Sequence, residues 1–194
     1  MRFVKPPSDD GRRDAAAALL ITDGALIELS LVDARAVVGY MRPRRAQAGE
    51  VLIREGAAYH PGDFMALILE GEITIERSIA AAHGSMVVSV EGPGGLIGEV
   101  GILDGGPRSA TCTAATDVLL ATWTSDSLMR LLSEQPVLGN RLLLALCKRL
   151  AGHLREANRK TLTFAQVCKA GQQELEAAHA VNMRLLDQID RLSR

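Results

Sequence analysis

Within residues 96–111, LIGEVGILDGGPRSAT, an acid, an arginine and a hydroxyl stand among glycines. That mixture suits a sugar phosphate. Gly94, Gly95 and Gly98 permit close approach of backbone to a ligand, while Gly105 and Gly106 allow a tight turn. Residues 98–103 are short and glycine-flanked, so they can form a single helical turn whose first amides point at an anion. Glu99 can accept a hydrogen bond from a sugar hydroxyl. Arg108 stays charged and offers a planar fork to phosphate oxygens, with the Ser109 hydroxyl beside it. The same composition also suits a glycine-rich hairpin loop carrying a surface Glu–Arg pair.

Other chemistries find little support. His60, His83 and His179 lie in different contexts and at no metal-ligand spacing. A metal enzyme built on a β-roll needs a cluster of histidines on its strands, and no Ser/His/Asp set stands out either. Cys112, Cys147 and Cys168 are too far apart for a metal knuckle and odd in number, which fits free thiols in a reducing cytoplasm. We therefore expect neither an enzyme nor a metal protein.

The elements around the motif are legible. Residues 1–13 hold two prolines and mostly polar side chains and read as a disordered tail. From Asp14 to Met41, Leu19, Leu20, Ile27, Leu31, Val37 and Val38 recur at helical spacing. Asp23-Gly24 interrupts them, predicting two short helices that Pro43 closes off. Residues 51–54, 64–69, 72–77, 86–90 and 118–123 are short runs of β-formers separated by glycine turns. Their brevity predicts an antiparallel roll, barrel or sandwich, without βαβ alternation. Ser125 is a candidate N-cap for a helix ending near Gln135, and Pro136 opens a far longer helix. The predicted organisation is a tail (1–13), a β-roll with N-terminal helices (14–135) and a long C-terminal helix (136–194).

Composition sets the outer bounds. The chain is 47% hydrophobic but only 3% aromatic, so its core must be built from Leu, Val, Ile and Ala. A net charge of -1 provides no global field towards nucleic acid or an anionic membrane. The apolar run 15–21 is too short for a membrane span. A cytoplasmic, soluble protein without membrane attachment is expected.

The pattern Gly98-Glu99-Val100-Gly101-Ile102-Leu103, followed by Pro107-Arg108-Ser109-Ala110, resembles the phosphate-binding cassette of cyclic-nucleotide-binding domains. That family includes the catabolite activator protein and the regulatory subunits of cyclic-AMP-dependent protein kinase. Residues 48–75, with glycines at 49, 56, 62 and 71, look like the family's first strands. The resemblance runs from about Ile27 to Lys160, roughly two thirds of the chain. It implies a mainly β fold: an antiparallel, jelly-roll-like β-roll flanked by N-terminal helices and a long C-terminal helix. It also implies that Glu99 binds the ribose 2′-hydroxyl and that Arg108 pairs with the exocyclic phosphate oxygens. The amides near Gly98 and Ala110, with the Ser109 hydroxyl, would complete the phosphate cage. Gly101 departs from the alanine common in the family, a small loss of stiffness rather than of chemistry. Ser109, where the family's cyclic-GMP receptors often carry threonine, favours cyclic AMP over cyclic GMP. The family's base-capping residue falls near His153, Leu154 and Asn158; His153 can stack on the purine or be a solvated helix residue.

Beyond the roll, Leu143, Cys147, Leu150, Leu154 and Ala157 follow a coiled-coil spacing. The frame weakens through Thr161, Phe164, Cys168 and Gly171, then recovers at Leu175, Ala178, Asn182, Leu185, Ile189 and Leu192. This predicts a parallel homodimer, or else a helix that folds back on its own domain. The 34 residues after Lys160 carry mixed charge and no turn between short helices, so sequence-specific DNA binding is not expected. The expected function is a cyclic-nucleotide receptor that signals to a protein effector through its C-terminal helix. The alternatives are a ligand-independent scaffold, a sensor of another small molecule such as a cyclic dinucleotide, and, more remotely, a DNA-binding regulator.

Overall fold

A computed structural model describes residues 9–79 and 84–192. Two helices come first, α1 (Asp9–Leu20) and α2 (Leu31–Val38). Ser30 caps α2, its hydroxyl accepting from the Asp33 amide at 3.1 Å, which satisfies a donor that no helical carbonyl can reach. The break at Asp23-Gly24 falls between the two helices as predicted. Ile27 lies in that connection and is exposed, so its helical spacing was incidental. The tail boundary is corrected: α1 begins at Asp9, inside the stretch read as disordered, and residues 1–8 lie outside the described residues.

Eight strands follow: β1 (Arg42–Ala46), β2 (Val51–Ile53), β3 (Phe64–Glu70), β4 (Ile73–Ile79), β5 (Gly84–Glu91), β6 (Leu96–Ile97), β7 (Thr111–Ala114) and β8 (Val118–Thr124). They form two four-stranded sheets, β1-β8-β3-β6 and β2-β7-β4-β5, and every pairing is antiparallel. The antiparallel β-roll is thus the observed architecture. Three strands escaped the sequence reading. In β1 the misleading residue is Pro43, which a sheet tolerates because β1 is an edge strand. β6 has only two residues, and β7 is short and rich in threonine and alanine. His83, at the expected hairpin tip, lies outside the described residues.

Two apolar clusters share the middle strands. Phe64, Ala66 and Ile68 of β3 face Ile53, Ile73, Ile97, Cys112 and Leu120 in the core between the sheets. Met65 and Leu67 belong to the second cluster, with Trp123 and the buried faces of the helices. With both faces covered, β3 reads as an unbroken apolar run instead of an alternating one.

Helix α3 spans Glu99–Asp104, α4 spans Ser125–Glu134 and α5 spans Pro136–Leu192. Thr124, not Ser125, caps α4 by accepting from the Ser127 amide at 3.3 Å. Pro136 does open α5. However, Leu138, Leu142, Ala145 and Leu146 are buried in the helical cluster of the roll, so the roll's compact unit ends at Cys147, beyond the predicted boundary at 135. The second unit, from Lys148, is the remainder of α5, where residues 161–185 are all exposed. Among the described residues, no helix is long and apolar enough to cross a membrane.

Candidate functional site

The cassette is assembled by backbone geometry before any side chain acts. Gly98 closes β6 with φ +77°, a left-handed conformation that side chains disfavour, and α3 starts at the next residue. A β-carbon on Gly98 would also come within 2.8 Å of Ile53 Cδ1 and 2.9 Å of the Phe64 carbonyl oxygen. At the other end of the motif, Arg108 donates its amide to the Ala57 carbonyl at 3.0 Å, and its own carbonyl accepts from the Gly56 amide at 2.8 Å. These two bonds lock residue 108 against the loop after β2.

Glu99 and Arg108 are the described residues whose charged side chains are buried, at 6% and 5% exposure. A buried guanidinium needs partners, because desolvation costs several kcal/mol unless charge and hydrogen bonds offset it. Arg108 has three. Its Nη1 donates to the Gly98 carbonyl at 2.9 Å, its Nη2 to the Phe64 carbonyl at 3.1 Å, and its Nε lies 3.3 Å from Asp63 Oδ2. These contacts engage one N–H on each of the three guanidinium nitrogens. Beside this pair, burial pushes the Cys112 thiol up to about 12, with the Glu99 charge adding to the shift and Arg108 opposing it.

Of the residues singled out in the sequence, Gly98, Glu99 and Arg108 converge on one spot. Ser109 follows, exposed, and Ala110 is half-buried where β7 begins. His153 is exposed on the second compact unit, and its role towards a purine rests on the family resemblance. Asp63 and the Phe64 carbonyl were missed. Asp63 sits in a turn: its Oδ2 accepts from the His60 amide at 3.1 Å, and His60 Nδ1 accepts from the Gly62 amide at 3.1 Å. That turn aims the carboxylate at an arginine 45 residues away, a pairing no local pattern reveals. The one signal available was a lone acid directly before an apolar strand.

The chain is also similar to known proteins. Residues 43–135 match the family model described as the cyclic nucleotide-binding domain. A solved cyclic nucleotide-binding domain from Methylobacillus flagellatus is 30% identical with a TM-score of 0.66, the match covering 82% of this chain and 87% of that one. The CRP-like cAMP-activated global transcriptional regulator of Mycobacterium tuberculosis is 28% identical over 115 residues, 59% of this chain and 50% of the regulator. A cyclic nucleotide-gated potassium channel of Mesorhizobium japonicum is 36% identical over 100 residues, 52% of this chain and 25% of the channel. The chain therefore spans half or less of the length of these curated relatives.

Proposed function

The chain belongs to the cyclic-nucleotide-binding domain family, and from that premise we propose that it is a receptor for a cyclic nucleotide, preferentially cyclic AMP. The observation that carries the proposal is the buried Glu99–Arg108 arrangement at the start of α3. In this reading the two remaining N–H groups of Arg108 take the cyclic phosphate, and the Ser109 hydroxyl and the Ala110 amide close around it. Glu99 accepts from the ribose 2′-hydroxyl. Ser109 favours cyclic AMP, and the cAMP-activated mycobacterial relative points the same way. A phosphate on those N–H groups brings a second negative charge to the guanidinium that Asp63 contacts through Nε, which weakens but does not replace that tie between the cassette and the start of β3. Such a ligand shifts the conformational equilibrium only by its differential affinity for the two states. We further propose that the exposed apolar face of α5 pairs with a second copy of the chain, and that the output is a changed contact with a protein effector.

Calorimetric titration with cyclic AMP, cyclic GMP and cyclic di-GMP tests the receptor reading. Cyclic AMP is expected to bind most tightly. Arg108→Ala should weaken it by roughly 2–5 kcal/mol, because it strips the partner from a desolvated phosphate. Glu99→Ala should cost less, since the ribose hydroxyl is neutral. Equal titration of wild type and Arg108→Ala, or no binding by either, refutes the receptor. A preference for cyclic di-GMP would replace cyclic AMP as the ligand.

A further inference from the structure

The backbone of Arg108 is held by a turn, and that turn needs a hold of its own. Residues 54–57 follow β2 and close on themselves through the Ala57 amide and the Arg54 carbonyl at 3.2 Å. Arg108 bonds to Gly56 and Ala57 in both directions, so residue 108 moves with this exposed turn. Sheet order leaves the turn without strand support. β7 lies between β2 and β4, and its pairing stops at Ile53–Cys112 on one side and Glu76–Thr111 on the other. On the N-terminal side of Thr111 the chain is outside the sheet, in the cassette, while β4 continues to Ile79, still paired with β5. The Ser78 amide of β4 therefore has no β7 residue opposite it.

Glu55 fills that gap. Its Oε2 accepts from the Ser78 amide at 2.7 Å and from the Ser78 hydroxyl at 2.8 Å, and its own amide donates to the Thr111 hydroxyl at 3.0 Å. One half-buried residue thus joins the turn to both strands at the point where the cassette leaves the sheet. Hydrogen bonds to a carboxylate are stronger than those between neutral groups. Here they hold the Glu55 carboxyl below its ordinary range, the bond from the Ser78 amide contributing most.

We propose that Glu55 is a positioning residue of the phosphate site: its carboxylate stands in for the missing strand between the ends of β2 and β4, and so fixes the turn that holds the backbone of Arg108. The effect on ligand rests on the receptor reading. The effect on the turn does not.

Amide hydrogen exchange of the ligand-free protein separates the two, because it reads local opening residue by residue. Glu55→Ala should speed exchange at Gly56 and Arg108 by about fivefold and leave Leu142, in the helical cluster, unchanged. Glu55→Gln keeps an acceptor oxygen for Ser78 and should restore most of the protection. Ser78→Ala removes one of the two donors and should give a smaller acceleration, and Glu55→Ala should add less in that background than in wild type. Unchanged exchange at Gly56 and Arg108, equal acceleration at Leu142, a glutamine variant as fast as the alanine one, or strictly additive effects with Ser78→Ala overturn the proposal. Cyclic AMP titration supplies the functional arm, where Glu55→Ala should weaken binding about fivefold and Glu55→Gln by less than about twofold. Faster exchange with unchanged affinity refutes the positioning role. A wild type that binds no cyclic nucleotide, beside exchange that responds as expected, removes the receptor and leaves the tie between the turn and β4.

Discussion

Helix α5 is one continuous helix with two surroundings. Leu138, Leu142, Ala145 and Leu146 are buried among the helices and the sheet of the roll, while Leu154, Phe164, Leu175 and Leu185 are 51–68% exposed. Both stretches show apolar residues at helical intervals, and both are rich in good helix formers. Periodicity reports that a face is apolar; it does not report what covers it. In the first three turns the cover comes from α1, α2, α4 and strand residues such as Trp123, all in the same compact unit. Farther on, residues 161–185 are all exposed, and this is what motivates a second copy as the partner.

Matched truncations on this one helix provide the strongest contrast. Leu142→Ala removes a fully buried side chain and should cost about 2–5 kcal/mol in denaturant unfolding. Leu154→Ala should change the stability of the dilute monomer by no more than about 0.5 kcal/mol. Equal losses at dilute concentration would abolish the distinction between the two ends.

The exposed end is sharpened by charging it. Leu185→Glu with Ile189→Glu should cost several kcal/mol of association, since carboxylates are not tolerated unpaired in an apolar seam. Sedimentation equilibrium should show a raised dissociation constant, with cyclic AMP titration nearly unchanged. Asn182→Leu should act in the opposite direction, stabilising the tail while relaxing its preference for two strands. A wild-type monomer at tens of micromolar, or a charged variant indistinguishable from wild type, would dismiss the seam.

The smallest effect concerns the thiols. Cys147 and Cys168 are exposed, whereas Cys112 is buried beside Glu99, its thiol raised from an ordinary 9.0 to about 12. Alkylation at mildly alkaline pH should mark the first two and spare Cys112, as read by peptide mass. The folded state keeps the Cys112 proton when the unfolded chain has lost it, so this contribution to stability is intact below pH 9 and is lost as pH rises towards about 12. Labelling of Cys112 at the rate of Cys168 would show that the cassette opens far more readily than its burial implies.

Much of this was written locally. The left-handed glycines at 49, 56 and 71 punctuate the strands because a side chain disfavours those turns, and they are visible one residue at a time. The Gly98-Glu99 and Arg108-Ser109 pairs were legible for the same reason: the residue types needed to grip a sugar phosphate are contiguous in the chain. β1 was hidden because Pro43 argues against a strand until the edge position is known, and β6 because two residues carry no period. Only the fold decided that Asp63 and the Phe64 carbonyl hold Arg108, and that the first turns of α5 are core. Both depend on groups far apart in sequence meeting in space. Local propensity and spacing carry no information about such meetings, which arise when two sheets and a helical layer close on a shared apolar interior.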